Sequence, residues 1–224
     1  MIHTIKACIF DLDGVIVDTA RYHYLSWKSL FKTMGFDFKE QDNEPLKGAS
    51  RMHSLEIILD LAGLEKTMSE KDALCRKKNE IYLASIEEMT RNEILPGVAH
   101  LIETIQAHDI SISLGSASRN ARHILDLLEI TNRFDAIVDG NDVHRGKPDP
   151  EVFLLASEKL GVPPHQCLVI EDAAKGIQAA RNAGMLAVGI GDLANLDRAD
   201  LVLPNLKNMT WTGLLKKLKS SMVS

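Results

Sequence analysis

Short apolar runs alternate with longer amphipathic stretches through the second half of the chain. A short apolar run bounded by polar or turn residues predicts a buried strand. Strands that alternate with helical patterns predict βαβ units and a parallel sheet, and therefore an α/β fold. The predicted strands are Ile5–Phe10, Ile110–Leu114, Ala136–Val138, Cys167–Ile170 and Leu186–Ile190, with a short edge strand at Leu201–Leu203; the predicted helices between them are Gly97–His108, Asn120–Leu128, Pro150–Leu160 and Ala173–Ala183.

The segment between residues 16 and 92 has a different texture, with amphipathic helical patterns and no convincing strand. The helical patterns lie near 22–34, 52–61 and 70–89, and Leu95-Pro96-Gly97 closes the segment. We therefore predict a small helical domain at 16–92 inserted after the first strand, and a core domain formed by 1–15 and 93–224. A lid of this kind would close over the sheet edge and exclude water.

Composition excludes several functional classes. The chain has 224 residues, 25% of them charged, with a formal net charge of −5. This balance, without a basic block, argues against a nucleic-acid partner. We find neither a secretion signal nor an apolar run of membrane-spanning length. The three cysteines are scattered and form no Cys-x-x-Cys pair, so we expect a reduced, cytoplasmic protein. The mixed-charge surface gives no reason to expect more than a monomer.

Two carboxylates follow directly on the first apolar run. Asp11-Leu12-Asp13-Gly14 comes after Ala7–Phe10, and ligands of parallel α/β sheets bind beyond the carboxyl ends of the strands. Two aspartates there suit a hard cation and covalent catalysis by a carboxylate. The alternative interpretation is a polar turn, because Asp-x-Asp-Gly also favours turns.

Three further polar clusters follow later segments of the α/β pattern. Ser116 lies in a small-residue loop before a predicted helix, where a hydroxyl and free amides can hold phosphate, or where it can simply cap the helix. Lys147 lies between Gly146 and Pro148, in a stiff frame that could hold its ammonium group against a phosphoryl oxygen, although most lysines are merely solvated. Glu171-Asp172 again ends an apolar strand in acids, or else caps the next helix.

These four clusters, in this order, resemble the haloacid dehalogenase-like superfamily over nearly the whole chain. The resemblance implies a Rossmann-like, doubly wound parallel sheet with a small α-helical cap inserted after the first strand. It also implies that Asp11 is the nucleophile and Asp13 the general acid and base. Ser116 and Lys147 would hold the phosphoryl oxygens, and Mg²⁺ would be the cofactor. The implied metal residues are Asp11, Asp13 (through its main-chain carbonyl), Glu171 and Asp172.

Within that superfamily, the helical segment resembles the β-phosphoglucomutase family. Thr19, His23 and Trp27 follow Asp11 at that family's spacing, and Thr19 and His23 are implied to assist catalysis. Arg51, with Ser118 and Asn120, is implied to form a second phosphate site. Position 119 departs from the family, because it is arginine where lysine is usual. The implied substrate-binding residues are Asp13, Trp27, Lys47, Gly48, Arg51, Ser54, Lys78, Ser116, Ala117, Ser118, Arg119 and Asn120.

The resemblance implies a small-molecule sugar phosphate as substrate. We expect interconversion of β-glucose 1-phosphate and glucose 6-phosphate through β-glucose 1,6-bisphosphate and an aspartyl-phosphate enzyme. Two alternatives remain open at this point. One is a Mg²⁺-dependent phosphatase of a small sugar phosphate, which would use the same core residues. The other is a catalytically inactive binding module that has kept the fold.

Overall fold

Six strands of the protein form one parallel sheet. The computed structural model describes residues 5–46 and 49–222. The strands lie in the order β3-β2-β1-β4-β5-β6, and each neighbouring pair is parallel. Their bounds are β1 Ala7–Phe10, β2 Ser111–Gly115, β3 Ala136–Val138, β4 Cys167–Glu171, β5 Leu186–Ile190 and β6 Leu201–Leu203. The α/β prediction, with its doubly wound sheet, is confirmed.

The helices alternate with these strands in the C-terminal part and cluster in the segment after β1. Their bounds are α1 Ala20–Lys32, α2 Arg51–Ala62, α3 Met68–Ile86, α4 Val98–Gln106, α5 Ala121–Leu127, α6 Glu151–Leu160, α7 Ala174–Asn182 and α8 Trp211–Ser221. Short 3₁₀ segments lie at Glu40–Leu46, Arg91–Glu93, Thr131–Arg133, Pro164–Gln166 and Leu193–Asn195. No helix in the described ranges is long and apolar enough to cross a bilayer.

The contacts divide the chain into two compact units. The first unit is Met1–Asp18 with Thr90–Ser224, and the second is Thr19–Met89. Each boundary lies three residues inside the helical domain predicted at 16–92. Two backbone contacts explain the difference: Val17 forms an antiparallel bridge with Ile94, and the N–H of Leu95 donates to the carbonyl of Ile16 over 2.8 Å. These contacts join the outgoing and returning segments to each other, so residues 16–18 and 90–95 belong to the sheet unit.

The sheet unit is built on a central pair of apolar strands. Ala7 and Ile9 of β1 lie beside Cys167 and Val169 of β4, and all four are buried in one cluster that includes residues of α6 and α7. Because side chains alternate along a strand, Cys8 is on the other face from Cys167. Both thiols are buried and free, as expected for small apolar core residues.

The helical unit has its own apolar core. Trp27, Leu30 and Phe31 of α1 pack with Leu55 and Ile58 of α2 in one buried cluster. Helix α3 begins two residues before the predicted start because Thr67 and Glu70 form a capping box, which satisfies two otherwise free amides. This signal is present in the sequence as Thr-x-x-Glu.

Gly97 marks the return of the chain to the sheet unit. Its φ is +96°, and a Cβ there would lie 1.9 Å from the carbonyl oxygen of Leu206. We expect Gly97→Ala to lower the free energy of unfolding by about 3 kcal/mol, through left-handed strain together with steric overlap. Urea unfolding followed by Trp211 fluorescence, in a Trp27→Phe background, measures this unit alone.

Gly184→Ala is the matched control for that measurement. Gly184 also has a positive φ, +74°, but no atom lies within 4 Å of the position that a Cβ would take there. The control should therefore lose only the strain component, about 1 kcal/mol. Equal losses in the two variants would show that the approach to Leu206 costs nothing.

Candidate active site

The polar residues predicted from sequence lie where three neighbouring strands end. Strand β1 has β2 on one side and β4 on the other, so the connections leave it in opposite directions. This is the topological switch point at which parallel α/β sheets bind ligands. Asp11 follows β1, Ser116 follows β2, and Glu171 is the last residue of β4. Parallel strands bring their carboxyl ends to one edge, and the fold therefore collects these side chains.

Lys147 joins two of the acidic residues. Its Nζ lies 2.6 Å from Oδ1 of Asp11 and 2.7 Å from Oε2 of Glu171. All three side chains are buried, and the ammonium group also lies 4.8 Å from the centre of the Phe153 ring. Charge-assisted bonds of this length are strong where water is excluded. The predicted lysine and nucleophile are therefore in direct contact.

The charges of this cluster do not balance. Burial alone would lower the pKa of Lys147, but the charges of Asp11 and Glu171 and their hydrogen bonds raise it overall. Lys147 is therefore a fixed cation. Burial, with the charge of Asp11, raises the pKa of Glu171. Burial, with the charges of Glu171, Asp11 and Asp13, also raises the pKa of Asp172. The carboxylates around Lys147 therefore carry more negative charge than this single cation can neutralise.

Both acids at the end of β4 have a defined place. Glu171 accepts hydrogen bonds through Oε1 from the N–H groups of Asp172 and Ala173, at 3.2 and 3.1 Å, while Oε2 faces Lys147. A Cβ on Gly176 would lie 2.0 Å from the Glu171 carboxyl carbon, and one on Gly14 would lie 2.0 Å from Oδ2 of Asp172. Two glycines thus provide the space that the two carboxylates occupy.

Three of the carboxylates could hold a metal ion. Asp11, Glu171 and Asp172 each offer an oxygen, and these oxygens lie within 4.8 Å of one another. Hard oxygen ligands of this kind suit Mg²⁺. The raised pKa of Asp172, caused by burial and by neighbouring acids, indicates negative charge that a divalent cation would balance. The donor set therefore fits the expected cofactor.

The predicted phosphate loop follows β2. The Ser116 side chain is buried, and its Oγ accepts the N–H of Ser118 at 3.1 Å. The Oγ of Ser118 accepts the N–H of Asn120 at 3.3 Å. Ala117, Ser118 and Asn120 are partly exposed, and Arg119 is exposed. Asp13 is half-buried near the end of β1, so the sheet unit presents both acids of the Asp-x-Asp motif.

A second polar cluster lies inside the helical unit. Lys78 is 2% exposed, and its Nζ lies 2.7 Å from Nδ1 of His23. The same ammonium group lies 5.2 Å from the Trp27 ring centre and 4.4 Å from the Tyr82 ring centre. Burial, followed by the charges of Lys78 and Arg51, lowers the pKa of His23 well below its usual value. His23 is therefore neutral at neutral pH and can accept from Lys78.

The remaining predicted residues of the helical unit lie around the starts of helices. Thr19 is the buried N-cap residue of α1. Arg51 begins α2, and its Nη2 donates to Oδ1 of Asn79 at 2.7 Å; Ser54 of α2 is buried. Lys47 and Gly48, which were also predicted to bind substrate, lie outside the described residues.

Sequence reasoning missed several contributors to both clusters. Phe153 and Tyr82 have the patterning of ordinary core aromatics, so nothing separates them from the packing residues around them. Gly176 carried a signal, because a glycine inside a helix is unfavourable and needs a packing reason. That reason is the carboxylate of Glu171.

The site resembles that of a phosphotransferase built on a doubly wound sheet. It combines a candidate carboxylate nucleophile with a fixed lysine, a loop hydroxyl and carboxylates that suit a divalent cation. The family comparison agrees with this class. The haloacid dehalogenase-like hydrolase family matches residues 5–184, and the chain belongs to that family.

Individual relatives narrow the class further. The chain is 45% identical over 207 residues to a β-phosphoglucomutase of Bacillus subtilis, covering 92% of each chain. It is 33% identical to a fructose-1-phosphate phosphatase of Escherichia coli, over 81% of this chain and 94% of the relative. Its structure is similar to that of a β-phosphoglucomutase of Clostridium difficile, with a TM-score of 0.93, 40% identity and coverage of 99% and 100%.

The ion cluster predicts a specific response to loss of its cation. In EDTA at about pH 8, Lys147→Met should lower the free energy of unfolding by about 3 kcal/mol, because it leaves buried carboxylates without a partner. The deficit should shrink toward about pH 5.5. The charge of Lys147 holds the pKa values of Glu171 and Asp172 down against burial and the neighbouring acids, so its removal raises them further. The acids of the variant therefore take up protons at a higher pH than those of the wild type, and the variant regains stability as pH falls. Urea unfolding at the two pH values measures this.

Lys159→Met provides the control. Lys159 lies 3.6 Å from Asp142 in a pair with both side chains partly exposed, at 37% and 27%. Such pairs contribute less than about 1 kcal/mol, and the loss should not depend on pH in this range. A Lys147→Met deficit of the same small size, or one that grew at low pH, would show that Lys147 does not balance the buried carboxylates.

Proposed function

We propose that this protein interconverts β-D-glucose 1-phosphate and glucose 6-phosphate through β-glucose 1,6-bisphosphate. The observation that carries the proposal is the 45% identity to a β-phosphoglucomutase over 92% of both chains, which includes the helical unit as well as the sheet. The structural similarity to a second β-phosphoglucomutase, over 99% of this chain, supports it. The substrate class is thus a small sugar phosphate.

Asp11 is the proposed nucleophile. A carboxylate oxygen of Asp11 attacks phosphorus, the bond from phosphorus to the leaving oxygen breaks, and an aspartyl phosphate forms. This divides one difficult transfer into two easier ones. The contact between Asp11 Oδ1 and Lys147 supports this role, since the lysine fixes the direction of the carboxylate that attacks.

Asp13 is the proposed general acid and base. It gives a proton to the leaving oxygen in the first transfer and takes one from the attacking sugar hydroxyl in the second. The phosphoenzyme therefore returns its phosphoryl group to either end of the sugar. Asp13 is half-buried, two residues beyond Asp11, so its side chain can reach both protein and ligand.

Lys147 and Ser116 are proposed to hold the phosphoryl oxygens. Phosphoryl transfer depends on positioning and on neutralisation of charge. Both side chains are buried at the carboxyl edge of the sheet, where electrostatic interactions are stronger than in water. Glu171 holds Lys147 from the other side, at 2.7 Å, so the cation is already in place before a substrate enters.

Mg²⁺ is the proposed cofactor. Asp11 and Asp172 would hold it, with the Asp13 carbonyl and Glu171 as the other predicted ligands. When bound, it would supply positive charge to the phosphoryl oxygens. Asp13 is proposed as a carbonyl ligand so that its carboxyl group remains available for proton transfer.

The helical unit is proposed to recognise the sugar and the second phosphate. Arg51 is the proposed phosphate ligand, since a planar guanidinium group binds phosphate through two parallel bonds. Its bond to Asn79 supports a fixed orientation. Thr19, His23, Trp27, Ser54 and Lys78 stay predictions as substrate or catalytic residues, as do Ser118, Arg119 and Asn120 of the sheet unit.

A phosphatase is the second candidate, and one comparison favours it. The 33% identity to a fructose-1-phosphate phosphatase places hydrolases among the relatives. A phosphatase would use the same nucleophile but pass the phosphoryl group to water. The higher identity to a mutase is the reason that we place the mutase first.

A cytoplasmic location and a monomeric state stay predictions.

Phosphorus NMR with β-glucose 1-phosphate, Mg²⁺ and a trace of β-glucose 1,6-bisphosphate tests the proposal. We expect glucose 6-phosphate to accumulate without stoichiometric release of inorganic phosphate. Stoichiometric free phosphate would identify the hydrolase instead, and no change would identify a binding module.

Asp11→Asn should abolish turnover with an unchanged circular dichroism spectrum; substantial residual turnover would remove Asp11 from the role of nucleophile.

Arg51 distinguishes transfer to sugar from transfer to water. Arg51→Ala should slow the mutase cycle by about a hundredfold, as expected for loss of a bidentate charged contact of about 3 kcal/mol. Hydrolysis of the phosphoenzyme by water should change less than threefold. Arg51→Lys keeps the charge but not the planar donor pair, so its mutase rate should lie between those of the wild type and Arg51→Ala. Equal losses in the two reactions would place Arg51 outside the second phosphate site.

A further inference from the structure

The loop that follows β3, residues Asp139–Asp142, runs beside the Ser116–Asn120 segment. The N–H of Gly140 donates to the carbonyl of Ser118 at 3.1 Å. The side-chain Nδ2 of Asn141 donates to the carbonyl of Arg119 at 2.9 Å. Two successive carbonyls of the predicted phosphate segment are therefore held by two successive residues of a neighbouring loop.

A third carbonyl faces the same loop. A Cβ on Gly140 would lie 2.3 Å from the carbonyl oxygen of Ala117, a distance that real Cβ atoms do not reach. Glycine therefore permits the close approach of the two backbones. The carbonyls of Ala117, Ser118 and Arg119 all lie against the 139–142 loop.

This contact fixes the opposite side of the segment. In a planar trans peptide the C=O and the following N–H point in opposite directions. The N–H groups of Ser118 and Asn120 accordingly turn away from the loop, and they donate to Oγ of Ser116 and Oγ of Ser118. The orientations of the Ser116 hydroxyl and of these amides are thus set through the carbonyls.

The loop itself is firmly held. Asp139 is buried; its Oδ1 accepts the N–H of Asn141 at 2.8 Å, and its Oδ2 lies 3.1 Å from Nε of Arg122. Oδ2 of Asp142 accepts from the N–H of Asp139 and from Nη2 of Arg122, each at 2.9 Å. Because Arg122 belongs to α5, which directly follows Asn120, the loop is also joined to the C-terminal end of the segment.

We propose that Gly140 and Asn141 are positioning residues that set the phosphate affinity of the 116–120 segment. The inference rests on the proposed function of that segment and deepens it. Neither residue needs to touch the ligand. They act by holding the Ser118 and Arg119 carbonyls and by admitting the Ala117 carbonyl close to Gly140, so that the Ser116 hydroxyl is already oriented when phosphate binds. Pre-orientation of this kind lowers the ordering cost of binding.

Asn141→Ala tests the proposal with little risk to folding, because Asn141 is exposed and exposed substitutions change stability little. The dissociation constant for inorganic phosphate, measured by calorimetry with Mg²⁺, should rise about fivefold, as follows from one hydrogen bond of ordinary strength. The KM for β-glucose 1,6-bisphosphate should rise similarly with kcat changed less than twofold, because binding is lost equally in ground and transition states.

Two further variants complete the experiment. Asn141→Asp has nearly the same shape but replaces the donor by an acceptor that faces the Arg119 carbonyl, so its loss should exceed that of Asn141→Ala. Asn205→Ala is the matched control, since Asn205 is an exposed asparagine after edge strand β6 that accepts from the N–H of Lys207 at 3.0 Å. It should leave phosphate affinity and KM unchanged.

The possible results separate the two proposals. If the wild type binds phosphate but does not form glucose 6-phosphate, while Asn141→Ala binds phosphate more weakly, the mutase proposal fails and the positioning role stands. Phosphate affinity and KM unchanged in Asn141→Ala overturn the positioning role. So does a loss that Asn205→Ala shares, or a loss that falls on kcat alone.

Discussion

The buried contact of Lys147 with Asp11 and Glu171 is the interaction on which the site depends. A cation between two carboxylates, at 2.6 and 2.7 Å, allows acidic groups to remain at the end of apolar strands. Without it, burial of these charges would cost several kcal/mol each. The residual negative charge is what the proposed Mg²⁺ would balance. Fold stability and the proposed chemistry therefore share one set of residues.

Sheet topology explains why this cluster forms from distant parts of the sequence. Asp11, Lys147 and Glu171 belong to the end of β1, the loop before α6 and the end of β4. Only a parallel arrangement with β1 between β2 and β4 brings these ends to one edge. The buried strands thus determine where the charges meet, and the glycines at positions 14 and 176 determine how closely the acidic side chains approach the backbone.

The strands were predictable because their apolar runs are short and bounded by polar or turn residues. β3, β5 and β6 have the predicted bounds, β1 and β4 differ by one or two residues at one end, and β2 is shifted by one residue. The boundaries of the two units were harder to predict from the sequence, because Val17 and Ile94 pair with each other although the whole inserted segment separates them. For the site, motifs gave the ionisable residues that the structure brings together, but not their partners. Phe153 and Tyr82 look like core residues in any sequence, and their cation contacts exist only in three dimensions.

The predicted phosphate segment shows most clearly what a motif leaves out. Ser116–Asn120 can be recognised from its small polar residues, yet its backbone direction depends on Gly140 and Asn141, which come after another strand and helix. A turn sequence such as Asp-Gly-Asn-Asp ordinarily indicates only a chain reversal. Here Asp139 and Asp142 are paired with Arg122, and Gly140 and Asn141 of the same turn donate to two carbonyls of the segment. The backbone orientation of the segment is therefore a property of two loops, because neither sequence alone determines which way its amides face.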